Sequence, residues 1–235
     1  MAVNLRGIAT VLLPGTGSDD DYVYRVFSAA LHEVGAVVVA QPPDPGRLIE
    51  GYLEALDDAA RDGPIAVGGV SIGAAVAVAW ALAHPGRAVA VLAALPPWTG
   101  EPDVAPAALS ARHTADQLRR DGLVATTSAM RAGSPAWLAD ELSRSWLGQW
   151  PELPDAMEQA AAYVAPSSVE LERLSAPMGV VAAPDDPIHP LEVALEWVSA
   201  APRAALRTVA LEEFGPDPVA LGAACVAALW EAAQD

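Results

Sequence analysis

Apolar residues along the chain gather in short runs, Ile8–Leu13, Ala36–Ala40, Ile65–Val70, Val89–Leu95, Met178–Ala183 and Leu206–Leu211, each with Gly, Pro or a charged residue at one end at least. Runs of this length suit strands, and those with little polar content suit strands buried on both faces. Between them lie stretches with helical signals. Ser18 is expected to cap a helix running to about Glu33, with Asp19, Asp20 and Asp21 in its first turn against the positive end of the helix dipole and Gly35 as its stop. Further helices are expected at about Arg47–Arg61, Ile72–His84, Leu191–Ala200 and Val219–Ala232.

Strands alternating with helices imply right-handed crossovers and a mostly parallel sheet covered on both faces, the α/β class. The alternation fails between Pro96 and about Leu174, where Ala108–Asp121 and Trp137–Gln149 read as helices and no strand stands out. Residues 1–95 and 175–235 are therefore expected to form one core, with 96–174 as an inserted helical cap. Four of the seven tryptophans, Trp98, Trp137, Trp146 and Trp150, fall in that insertion. Most are expected to pack small helices, with Trp98 and Trp146 the candidates to line a pocket.

Composition narrows the function. The 13 basic residues are all arginine, and against 30 acidic residues they leave a net charge of −17. Without lysine there is no phosphate-loop lysine and no Schiff-base chemistry, so P-loop hydrolysis and pyridoxal-phosphate catalysis are excluded. Such acidity with scattered arginines argues against nucleic acid or an anionic membrane as partner. The single cysteine, Cys225, allows no intrachain disulfide and fits a reducing cytosol. No apolar run approaches the roughly 18 residues needed to span a bilayer, and the N-terminal stretch reads as a strand, so a cytoplasmic protein is expected. No metal-ligand spacing occurs, and a dinucleotide loop fails because Asp20 stands where G-x-G-x-x-G requires its last glycine.

The strongest chemical signal is Gly69-Val70-Ser71-Ile72-Gly73, a G-x-S-x-G sequence that follows a buried strand and opens a helix, with Gly68, Ala74 and Ala75 alongside. A sharp strand-to-helix turn needs such small neighbours, holds the serine in a strained conformation and aims the next backbone N–H at a bound oxygen. With this motif the chain resembles the α/β-hydrolase superfamily over nearly its whole length. The resemblance implies Ser71 as nucleophile and an oxyanion hole from the backbone N–H groups of Ile72 and Thr16. Thr16 lies in Pro14-Gly15-Thr16-Gly17, where that family carries its oxyanion loop, with Pro14 in place of the usual histidine and Gly15 beside the substrate. The resemblance also implies the helical cap and no cofactor or metal.

After the Met178–Ala183 strand stands Pro184-Asp185-Asp186-Pro187-Ile188-His189-Pro190, similar to the family's acid loop. Asp186 matches the acid best, with Asp185 as the alternative. The family's histidine follows the last strand, and here that stretch, Glu212 to Pro218, contains none. His32 and His84 are expected to be structural, and His113 lies in the insertion. His189, three residues after Asp186, is the candidate base, since a triad is defined by geometry and not by chain position; the competing reading is that it caps the helix beginning near Pro190. A serine hydrolase acting on an ester, thioester or related acyl small molecule, apolar or neutral, is the first expectation. A lyase or cyclase on the same fold, or a small-molecule binding protein, are the alternatives, and oligomeric state is left open.

Overall fold

The computed structural model describes residues 3–234. Six strands, β1 (Ala9–Leu13), β2 (Val37–Ala40), β3 (Ile65–Val70), β4 (Ala88–Ala94), β5 (Met178–Ala182) and β6 (Ala204–Thr208), form one sheet in the order β2-β1-β3-β4-β5-β6. Every neighbouring pair is parallel. The chain moves outward from β1 to β2 and returns on the other side of β1 with β3. The strand order therefore reverses between β1 and β3, the point at which sheets of this kind bind ligands beyond their C-terminal ends.

Helices cover both faces, as the crossovers require. Alternate residues of the central strands feed two separate cores. Val11, Leu13, Val67, Val91 and Val180 face α2 (Leu48–Ala59), α3 (Ile72–Ala83) and α8 (Leu191–Ala200), while Leu12, Ala66, Leu92 and Val181 face α1 (Asp20–Glu33) and α10 (Val219–Ala232). β3 is buried along its whole length, which explains why its run carries no polar residue.

Residues 96–174 contain no strand; they hold α4 (Pro106–Gly133), α5 (Ala136–Gln149), α6 (Leu153–Ala161) and α7 (Ser168–Leu171). α4 is longer than the expected Ala108–Asp121 because two helical pieces meet across a kink at Gly122, whose φ of 79° breaks the helical path. A third small core joins α4, α5 and α6 through Ala115, Leu118, Trp146, Leu153 and Met157.

Two expected boundaries are corrected. Asp19, not Ser18, caps α1, its side chain accepting from the Tyr22 N–H at 3.1 Å; the Ser18 backbone belongs to a turn closed by its own N–H on the Gly15 carbonyl. The last strand ends at Thr208 instead of Leu211, because Asp185 accepts the Leu211 N–H at 2.8 Å and starts the single-turn helix α9 (Leu211–Phe214) there. Among the described residues no helix is long and apolar enough to cross a membrane.

Candidate active site

Ser71 follows β3 and caps α3, with φ 54° and ψ −121°. A serine in that region stores about 1–3 kcal/mol of strain, which only a well-braced turn sustains. The bracing is visible in its neighbours. The Ser71 N–H bonds the Ala94 carbonyl on β4 at 2.9 Å and its own carbonyl accepts from Ala75 at 3.2 Å. A Cβ at Gly73 would overlap the Leu13 carbonyl oxygen, so the helix can lie this close to β1 only with glycine there. Leu95, one residue past the β4 partner of Val70, is the other described non-glycine with positive φ, at 51°.

His189 stands between Ser71 and Asp186. Its Nε2 is 2.9 Å from the Ser71 Oγ and its Nδ1 is 2.7 Å from the Asp186 Oδ2. A carboxylate accepts only, so Nδ1 carries the proton and Nε2 is left to accept from the serine hydroxyl. Asp186 is held on its other oxygen by the Ile188 N–H at 2.8 Å. Burial alone would raise the Asp186 pKa, but the hydrogen bond and charge of His189, with the N–H groups of Ile188 and His189, outweigh it and hold the carboxyl below its ordinary value. The side chains of His189 and Asp186 are 15% and 7% exposed, so water screens this pair little.

The other candidates separate clearly. Asp185 turns away from the histidine to the Leu211 N–H. His189 does not cap α8, whose N-cap position is Pro190. His113 is exposed on α4, and His84 stacks on Trp80 and donates from Nδ1 to the Trp80 carbonyl.

The Pro14–Ser18 loop runs beside the elbow: a Cβ at Gly15 would sit 3.5 Å from the Ser71 Cβ. Among the described residues neither the Thr16 N–H nor the Ile72 N–H has a protein acceptor. Two backbone donors without a protein acceptor therefore lie on the segments that flank the histidine-bonded serine.

Trp98 is buried in the main core with its N–H on the Tyr163 carbonyl at 3.2 Å, so what the structure shows of it is packing. Trp146 fills the small core of α4–α6. Its indole N–H lies against Gly17, where a Cβ would come within 2.7 Å of Nε1, and has no acceptor. A cluster of Asp19, Asp21 and Glu141 has the spacing to hold a cation, but Arg25 and Arg144 already bind these carboxylates.

Three side chains that touch the loop escape sequence reading. Tyr52 of α2, and Ser145 and Gln149 of α5, all bond its carbonyls. The only local signal is that Ser145 and Gln149, four apart, put polar groups on the buried side of an amphipathic helix.

Comparison with known proteins agrees with this architecture. The thioesterase-domain family model matches residues 11–200. Solved structures with the same fold include an esterase from Thermogutta terrifontis at 19% identity, covering 87% of this chain and 82% of that one with a TM-score of 0.67. MenH from S. aureus aligns at 14% identity over 100% and 98% of the two chains with a TM-score of 0.71. The enol-lactonase from Burkholderia xenovorans LB400 aligns at 18% identity over 88% and 84% with a TM-score of 0.64. No curated protein matches the sequence. With a family match over most of its length and a parallel sheet bearing a serine elbow, the chain belongs to the thioesterase-domain family of α/β-hydrolases.

Proposed function

We propose that the protein is a cofactor-independent serine hydrolase that cleaves an ester or thioester of a small, apolar or neutral acyl compound. The observation that carries this reading is the continuous hydrogen-bonded line from Asp186 through His189 to Ser71. The Ser71 hydroxyl attacks the acyl carbon while His189 Nε2 takes its proton. The carbonyl oxygen becomes an oxyanion and accepts from the N–H groups of Ile72 and Thr16. Collapse expels the alcohol or thiol, protonated by His189, and leaves acyl-Ser71. Water, deprotonated by the same histidine, then releases the acid and restores the serine.

Asp186 keeps the imidazole in the tautomer with Nδ1 protonated and stabilises the imidazolium. The alternative, a lyase or cyclase on the same fold, would form no acyl-Ser71 during turnover. In this reading the α4–α7 segment serves as the cap. A neutral substrate fits the local charge, because Arg25 and Arg144, brought beside the loop by α1 and α5, are each bound to at least two carboxylates.

The test is labelling with a fluorophosphonate, followed by hydrolysis of p-nitrophenyl esters and acyl-N-acetylcysteamine thioesters. Labelling that disappears in Ser71→Ala, together with turnover of either substrate class, is expected. A folded protein inert to both probe and substrates overturns the reading.

A further inference from the structure

The Thr16 N–H shares a peptide plane with the Gly15 carbonyl, so its direction is set by how the planes around it are held. In a trans peptide the N–H and C=O point opposite ways. The Gly15 carbonyl accepts from Ser18 N at 3.0 Å, inside the turn, which sends the Thr16 N–H outward. Side chains fasten the plane directly before it and, beyond the intervening Thr16–Gly17 plane, the two planes that follow. On one side the buried Tyr52 hydroxyl donates to the Pro14 carbonyl at 3.3 Å. On the other, the Ser145 Oγ donates to the Gly17 carbonyl at 2.5 Å and the Gln149 Nε2 to the Ser18 carbonyl at 2.9 Å. Pro14, Gly15, Gly17 and Ser18 thus have their carbonyls engaged, and three of the four partners are side chains from outside the loop.

Two of those side chains come from α5, which lies outside the sheet and its covering helices. Ser145 and Gln149 are 3% and 6% exposed. Gln149 turns its amide nitrogen to two carbonyls, those of Ser18 and Ser145, and leaves its Oε1 buried without a partner. A buried, half-satisfied amide costs stability that an apolar residue at the same place would not. The ion pairs of Arg144 with Asp19 and of Arg25 with Glu141 seat the same helix against the first turn of α1, immediately after the loop.

We propose that Ser145 and Gln149 are positioning residues for the oxyanion hole: by fastening the Gly17 and Ser18 carbonyls to α5 they aim the Thr16 N–H at the reacting oxygen. They touch no reacting atom and act through the loop. The inference rests on the serine mechanism proposed above. Its consequence is that the hole is complete only while α5 is seated, so the helical segment takes part in the chemistry as well as covering it.

The experiment uses the full chain with Ser145→Ala, Ser145→Thr, Gln149→Met, the Ser145→Ala/Gln149→Met double variant and Tyr52→Phe. Each is read by steady-state kinetics on p-nitrophenyl acetate and by inhibition with an aryl trifluoromethyl ketone, whose serine adduct places an oxyanion in the hole. Loss of a whole oxyanion donor costs about 10²-fold or more, so misaiming one should lower kcat by about 10-fold in Ser145→Ala and in Gln149→Met, with KM within about twofold. The ketone's inhibition constant should rise in step with the fall in kcat/KM, and Ser145→Thr, which keeps the hydroxyl, should restore most of the loss. A merely structural role would lower the melting temperature or raise KM without that parallel. Should Ser145→Ala fail to fold, Gln149→Met carries the test. Unchanged kcat in a folded double variant, or a kcat loss that leaves ketone affinity intact, overturns the positioning role alone. A wild-type protein that neither hydrolyses the ester nor reacts with a fluorophosphonate overturns the serine mechanism, and the positioning role with it.

Discussion

The Nε2 of His189 meets the Oγ of Ser71 at 2.9 Å across a sequence separation of 118, and most of the chain between them belongs to the helical segment 96–174. The histidine reaches the serine from the loop after β5, the same loop that supplies Asp186. His189 and Asp186 are therefore three residues apart on one short turn, which Asp185 ties to the Leu211 N–H beyond β6.

This arrangement makes the first prediction. Ser71→Ala and His189→Ala should each lower kcat for p-nitrophenyl butyrate by about 10⁴-fold or more, and Asp186→Asn by about 10³–10⁴-fold, with His113→Ala unchanged. Circular dichroism should show all four variants folded. Retained turnover in His189→Ala would mean that another group serves as base.

Gly17 offers a second. Its φ of +70° strains any L side chain, and an added Cβ would press on Trp146 Nε1 at 2.7 Å and Met157 Cε at 3.2 Å. Gly17→Ala should therefore lose about 1–3 kcal/mol in urea unfolding, and activity should fall further than stability explains because the loop bearing Thr16 must shift. A variant as stable as wild type would show that α5 can move away from the loop at little cost.

The pH dependence of stability follows from Asp186. Its folded-state pKa lies below the ordinary carboxylate value, so between the two the unfolded chain binds more protons. The contribution is full above the unfolded pKa, about 4, and is lost as pH falls through the folded value. The stability difference between wild type and Asp186→Asn should therefore be larger at about pH 6 than at about pH 3, measured by urea unfolding at both. Equal differences at the two pH values would contradict the assigned cause.

The net charge of −17 bears on the leaving group. A coenzyme A thioester carries several negative charges, whereas the N-acetylcysteamine thioester of the same acyl group carries none. With its arginines largely bound to carboxylates, the protein should show a lower kcat/KM for the coenzyme A ester at about 0.02 M salt, and the gap should narrow at about 0.3 M as screening sets in. A coenzyme A ester preferred at low salt would point to a cationic subsite that the neutral-substrate reading lacks.

What could be read from sequence was whatever is local. Strands β1, β3, β4 and β5 announce themselves because strands buried on both faces are largely apolar, the edge strand β2 through its run of β-branched valines, and the turn at Ser71 because a tight turn tolerates only small neighbours. The Asp186–His189 spacing lies within one loop and was visible for the same reason. β6 was less legible: as an edge strand it is half exposed, its polar content blurs its end, and the stop at Thr208 is set by Asp185 from another loop. The cap of α1 passed to Asp19 because its carboxylate accepts the Tyr22 N–H, while Ser18 has its backbone engaged in the turn with Gly15 and with Gln149.

The class of fold, the sharp turn at Ser71 and the loop carrying Asp186 and His189 were all written in local sequence. Tertiary structure alone decided that the imidazole swings to Ser71 instead of capping α8, that Asp186 and not Asp185 faces it, and that α5 fastens the loop carrying Thr16. The reason is physical: propensity and periodicity act over a few neighbouring residues, whereas the partner of a hydrogen bond from Ser145 to Gly17, 128 residues away, exists only once the sheet has brought the two together.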